Sequence, residues 1–208
     1  MIIGVAKEDD RIKAVVMNGS RVLPNVPKDQ YQDYDIIYYV TDVRPFVNNL
    51  EWIEEKFGKP VLMQIPKNIV LIPSKDDGNF TYLMIFEDGN RIDLTISLLS
   101  NLDDQEPAII LLDKDGILPS LQEPSDKCYH IKKPTYKIFT DCCNEFWWCL
   151  NNVGKGLARD ELPYVMKMFN TYVREMLEEM LKYYIGINYD FSVSTGKFNK
   201  YFKKYLPD

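Results

Sequence analysis

Gly19-Ser20, a spacer of twelve residues, and then Asp33-Tyr34-Asp35-Ile36-Ile37-Tyr38-Tyr39-Val40 form the stretch on which this 208-residue chain turns. An aromatic and β-branched run that opens on Asp-x-Asp reads as a strand with two acids at its head. Alternate strand residues share a face, so Asp33 and Asp35 are expected about 7 Å apart on one side. A second strand, around Arg91-Ile92-Asp93-Leu94, carries another acid among apolar and β-branched residues, where burial and strand propensity both disfavour it. Like charges about 4 Å apart repel by about 4 kcal/mol at an effective dielectric near 20, so three converging carboxylates call for a cation. Mg²⁺ fits, because it takes one or two carboxylates and completes its octahedron with water and phosphate oxygens.

Asp-x-Asp alone carries little weight in a chain with 31 acidic residues. Asp113-Lys114-Asp115-Gly116 has the same form and reads as a turn. The first pair differs because it follows a strand ending in Gly-Ser, opens an apolar run, and has a later strand acid to complete the set.

These features together resemble the polymerase β nucleotidyltransferase superfamily. Further blocks narrow the resemblance: Asn18-Gly19-Ser20-Arg21, Gln32-Asp33-Tyr34-Asp35-Ile36, Phe86-Glu87-Asp88-Gly89-Asn90, Leu111-Leu112-Asp113-Lys114-Asp115, Asp141-Cys142-Cys143-Asn144-Glu145-Phe146-Trp147 and Lys155-Gly156-Leu157-Ala158-Arg159. They resemble the aminoglycoside 6-adenylyltransferases that inactivate streptomycin, over nearly the whole chain. The resemblance implies an α+β protein, a polymerase β-like domain with a mixed sheet followed by a helical domain. Only residues 1–10 match the family's N-terminal helix, and its helical region continues past position 208, so the chain reads as truncated or unusually short. The implied reaction is attack of a drug hydroxyl on the α-phosphorus of ATP, with two Mg²⁺ ions and pyrophosphate leaving.

Asp33 and Asp35 are then metal ligands. Asp93 either binds the second metal or accepts the hydroxyl proton, and a general base that also touches metal is preferred. Gly19 lets the backbone approach a triphosphate, Ser20 offers an N–H and a hydroxyl, and Arg21 a planar fork suited to phosphate. Lys155, in a Gly-Lys-Gly setting, is similar to the family's lysine segment and either meets the β or γ phosphate or is a solvated lysine. Asp141 and Glu145, four apart on one helix face, present two acids to guanidinium or amino groups, and Trp148 offers a stacking wall. Acids on a helix also serve simply as a solvated face, as does the basic run Lys197, Lys200, Lys203 and Lys204.

A net charge of −6 argues against a surface that must neutralise nucleic-acid phosphates and favours a cationic small acceptor. No stretch approaches the ~18–20 apolar residues of a membrane span, and the first six residues lack a signal peptide's basic start, so a cytoplasmic protein is expected. Cys128, Cys142, Cys143 and Cys149 have neither Cys-x-x-Cys spacing nor a histidine cluster, and read as reduced thiols, with Cys142 and Cys149 packed in a helix stripe. His130, the only histidine, has no Ser or Cys motif beside it. Strands are expected at 12–17, 35–40, 60–65, 80–86, 91–97 and 109–112, and helices at 45–57, 140–157, 162–184 and 197–205. A nucleotidyltransferase domain over 1–120, a proline-rich linker over 121–134 and a helical domain over 135–208 follow. Two alternatives remain: a nucleotidyltransferase acting on another antibiotic or a protein hydroxyl, and a nucleotide-binding fragment without turnover.

Overall fold

The structure, a computed structural model, describes residues 1–73, 77–101 and 106–207. The chain forms two compact units, Met1–Ser125 and Asp126–Asp208. The architecture is α+β, a mixed six-stranded sheet followed by helices.

In the first unit the sheet comprises β1 (Ile12–Asn18), β2 (Tyr34–Val40), β3 (Leu62–Gln64), β4 (Phe80–Ile85), β5 (Arg91–Leu98) and β6 (Ile109–Asp113). Their order is β3-β4-β5-β2-β1-β6. Among these strands β2 and β5 run parallel, and the other pairings are antiparallel. β2 is central and covered on both faces, which explains why its sequence is almost continuously apolar after Asp35. Ile36, Tyr38 and Val40 face the larger core with Leu94, Ile96, Tyr82, Phe46 and Ile53. Tyr39 faces a smaller cluster with Ala14, Val16 and Ala108, against which Ile37, Leu118 and Leu121 pack. Each fully buried side chain of this kind is worth about 1.5–3 kcal/mol over its exposed state.

Helices α1 (Ile2–Glu8), α2 (Arg44–Val47) and α3 (Glu51–Phe57) contribute residues to the larger core. The single helix expected over 45–57 is two. Asn48-Asn49 separates them, and the Asn49 side chain accepts from the Glu51 N–H at 3.0 Å, the local bonding by which Asn competes with helical backbone. The third strand is shorter than expected and lies at the sheet edge. The β4–β5 hairpin closes as the sequence indicates: Gly89 takes φ +79°, and Asp88 accepts from the Asn90 N–H at 3.0 Å. The second Asp-x-Asp closes a turn, with Asp113 accepting from Ile117 N–H at 3.1 Å and Leu118 N–H at 2.9 Å.

In the second unit, α4 (Tyr136–Ala158) is capped by Thr135, whose hydroxyl accepts from the Ile138 N–H at 3.2 Å. Gly156 is a packing glycine, since a Cβ there would lie 2.7 Å from Val165. Asp160, at φ 58°, ends α4, and Pro163 sits in the first turn of α5 (Leu162–Met168). A π-helical turn, Phe169–Val173, joins α5 to α6 (Arg174–Asn188), where one uninterrupted helix is expected from periodicity. The last expected helix is a 3₁₀ turn at Lys197–Asn199 and a short α7 (Phe202–Tyr205), broken by positive φ at Phe198 and Asn199. Residues 121–134 straddle the boundary of the units and are not free chain: Ile131 is buried and its N–H bonds the Val193 carbonyl at 3.0 Å. Among the described residues no helix is long and apolar enough to cross a membrane.

Candidate active site

Strand alternation sends Asp35, Ile37 and Tyr39 to one face of β2 and Asp93, Thr95 and Ser97 to the same face of β5. In the parallel β2–β5 register Asp35 lies directly beside Asp93, and across β1 it lies beside Asn18. Asp93 is therefore not an acid stranded in an apolar strand. It belongs to a polar column whose opposite side, Ile92, Leu94 and Ile96, fills the core.

Gly19 begins a 3₁₀ turn, Gly19–Arg21, immediately after β1. Its φ is +73°, and a Cβ placed there would fall 1.9 Å from Asp35 Oδ2. The loop backbone thus presses against the Asp35 carboxylate, an approach that only glycine permits. The carboxyl of Asp35 is pushed above its ordinary range, first by burial, then by the charges of Asp93 and Asp33.

The compensating cation for the acids is Arg91, two residues before Asp93 on the same face. Its Nε donates to Asp93 Oδ1 at 2.8 Å and its Nη2 to Asp93 Oδ2 at 2.7 Å, a bidentate fork. Its Nη1 also lies 3.5 Å from Asp33 Oδ2. Asp35 receives no such fork. As the side chains stand, no group of three or more His, Cys, Asp or Glu among the described residues is arranged to hold a metal ion. The donor chemistry nevertheless fits a hard divalent cation, since one guanidinium pairs with two of the three carboxylates and its charge only partly offsets the burial and acidic neighbours that push up the third, Asp35.

Arg21, expected to face phosphate, directs its guanidinium elsewhere. It donates to the carbonyls of Asp33 at 3.0 Å and Gln32 at 2.7 Å and lies 3.7 Å over the Tyr34 ring. Lys28 does the same for the loop's other end, donating to the Arg21 and Leu23 carbonyls at 2.6 and 3.0 Å. The Ser20 hydroxyl accepts from the Gln32 amide at 3.2 Å. A long loop with no ladder of its own is thus tied down by side chains bonding its carbonyls.

In the second unit, Asp141, Glu145 and Trp148 come together on α4, in a groove of ≈ 770 Å³ completed by Glu179 and Tyr183 of α6. Among the described residues no Lys or Arg lines it. Asp141 pairs with Lys137 and Glu179 with Lys182, while among the described residues Glu145 accepts only from the weak donor Cys149 Sγ, at 3.1 Å. Glu179 and Tyr183 escape sequence reasoning because the α4–α6 pairing is tertiary. Lys155 is exposed on α4 and does not line the groove. The four cysteines are free, with Cys142 and Cys149 buried, and His130 bonds Asp126 at 3.1 Å.

A family model described as streptomycin adenylyltransferase matches residues 1–208. The chain belongs to that family. It is 40% identical over 211 residues to an aminoglycoside 6-adenylyltransferase of Bacillus subtilis (strain 168), covering 99% of this chain and 74% of that protein. A Campylobacter jejuni protein of the same description is 39% identical, with 100% and 73% covered. A crystal structure of an aminoglycoside 6-adenyltransferase from Bacillus subtilis is similar at 37% identity and TM-score 0.47, covering 99% of this chain and 73% of that one. Membership makes the chain a nucleotidyltransferase of the adenylyltransferase class.

Proposed function

We propose that the chain transfers AMP from ATP to the 6-hydroxyl of streptomycin, with Mg²⁺ as the metal and pyrophosphate as the second product, in the cytoplasm. The observation that carries this is the register match of Asp35 and Asp93 on parallel strands, with the Gly19 backbone seated against the Asp35 carboxylate. The family and the activity for which its relatives are named support the reaction class and the acceptor.

Asp33, Asp35 and Asp93 would hold the metal, which when bound neutralises charge on the triphosphate and steadies the attacking and leaving oxygens. Gly19 and Ser20 offer backbone and hydroxyl to phosphate, and Lys155 is assigned to the β or γ phosphate. Asp93 accepts the proton of the acceptor hydroxyl as its oxygen bonds the α-phosphorus and the bond to pyrophosphate breaks. The α4–α6 groove takes the cationic acceptor: Glu145, Asp141 and Glu179 supply charge, and Trp148 a flat wall. The acidic balance of the chain sets it against nucleic acid as a partner.

The test is pyrophosphate release from ATP and Mg²⁺ with streptomycin, spectinomycin, kanamycin or no acceptor, beside Asp35→Asn. Release with streptomycin alone, lost in the variant, supports the proposal. Release with another acceptor moves the substrate assignment, and ATP binding with silence on every acceptor leaves a nucleotide-binding protein without turnover.

A further inference from the structure

Arg91 sits where the three acids would be expected to meet a metal. Its guanidinium engages both oxygens of Asp93 and approaches Asp33 at 3.5 Å, and it leaves Asp35 without a partner of this kind. The fork is not locked in place. Arg91 retains 41% side-chain exposure while Asp93 retains 18%, so the arginine side chain is the more open to water of the two. Arg91 is also the first residue of β5, next to the hairpin turn.

We propose that Arg91 is a displaceable counter-ion: it holds Asp93 and Asp33 when no divalent cation is bound, competes with that cation for the two carboxylates, and swings off them when it binds. This rests on the reading of the acids as metal ligands. A guanidinium and a divalent cation cannot both take the same carboxylate oxygens in full, and a bidentate fork must open for an oxygen to ligate. Arg91 thereby keeps the acid column folded and charge-balanced in the metal-free protein, at the cost of weaker metal binding. Once released, its side chain is a cation beside the site where a triphosphate would lie.

The experiment is Mn²⁺ binding without nucleotide, read by the electron paramagnetic resonance of free Mn²⁺, for wild type, Arg91→Gln and Arg91→Lys, each with and without Asp35→Asn. Arg91→Gln should bind Mn²⁺ about tenfold more tightly than wild type, the worth of one charge-assisted hydrogen bond. It should melt lower than wild type in metal-free buffer and recover more on adding Mn²⁺. Arg91→Lys, which keeps the charge but loses the fork, should fall between them, and it carries the test should Arg91→Gln fail to fold. A merely structural arginine predicts the opposite direction, weaker Mn²⁺ binding when it is removed. Equal or weaker binding by the Arg91 variants, with wild type binding normally and Asp35→Asn abolishing it, overturns the inference and leaves the metal site standing. No Mn²⁺ binding by wild type or variant, with or without a non-hydrolysable ATP analogue, overturns the metal reading itself and the inference with it.

Discussion

Replacing Gly19 by alanine puts two distinct costs on the protein, and a second glycine separates them. An L-residue at φ +73° loses about 1–2 kcal/mol of backbone energy. Gly116, at φ +63° with nothing within 4 Å of the methyl an alanine would add, carries the backbone cost alone. At Gly19 the new Cβ would also lie 1.9 Å from Asp35 Oδ2, whereas real Cβ contacts essentially never fall under 3.0 Å, so the oxygen must retreat by about 1.1 Å. A misplacement of about 1 Å in a reacting constellation costs about 100-fold in rate, or about 2.7 kcal/mol of transition-state stabilisation. Both variants should therefore melt below wild type, Gly19→Ala by at least as much as Gly116→Ala. In an AMP-transfer assay with labelled ATP, Gly116→Ala should stay near wild type and Gly19→Ala should lose about two orders of magnitude in kcat. Rates for the two variants within about threefold of each other, at matched folded fractions, would refute the claim that the Gly19 backbone positions Asp35.

Asp35→Asn should abolish transfer yet stabilise the fold. Asp35's carboxyl is raised in the native state by burial and by its acidic neighbours, so its contribution is most favourable below the unfolded value near 3.9 and is lost as pH rises through the native one. The variant should thus melt above wild type at pH 7, with the gap closing toward pH 4. Repulsion from one neighbouring carboxylate at the strand spacing of about 5 Å, with an effective dielectric near 20, supplies no more than about 3 kcal/mol of this gain before solvent screening, in addition to the relief of burial. Glu145→Gln should raise KM for the cationic acceptor about tenfold and leave KM for ATP unchanged in steady-state kinetics; an unchanged acceptor KM would remove the groove from the reading. Asp113→Ala should lower the melting temperature without altering kcat. Backbone N–H groups, that of Leu118 first, hold Asp113 below the usual carboxylate range, so the stability it supplies is present at neutral pH and lost as pH falls through the native value.

The acids are legible because strand periodicity is local: once 35–40 and 91–97 read as strands, the side on which Asp35 and Asp93 lie follows from counting by two. Counting by two also places Arg91 on the face of Asp93, a signal available in Arg-Ile-Asp that the search for a metal passes over. Arg21 reads as a phosphate ligand by its type, but the residues between Ser20 and Asp33 have no strand partner, and the nearest cation answers their carbonyls. The break at Asn48-Asn49 has a local cause and is readable; the sheet order, with β5 inserted beside β2, and the arrival of Glu179 beside Glu145 depend on long-range pairing. Helical spacing alone places Asp141, Glu145 and Trp148 on one side of α4, and the packing of α6 turns that side into a groove.

The β2–β5 pairing separates what holds the sheet together from what aligns its acids. A slip of β5 by one residue would drive Asp93 into the apolar core, so burial of Ile92, Leu94 and Ile96 forbids it. A slip by two keeps every apolar residue on its proper face and brings Arg91 or Thr95, rather than Asp93, beside Asp35. Hydrophobic burial therefore selects only the parity of the strand, not its position. The five-residue turn from Phe86 to Asn90 fixes only the neighbouring β4–β5 pairing, in which Arg91 lies opposite Ile85. The β2–β5 position is in this sense a catalytic parameter: a shift of two residues between those strands would leave a well-folded sheet whose carboxylates no longer stand side by side.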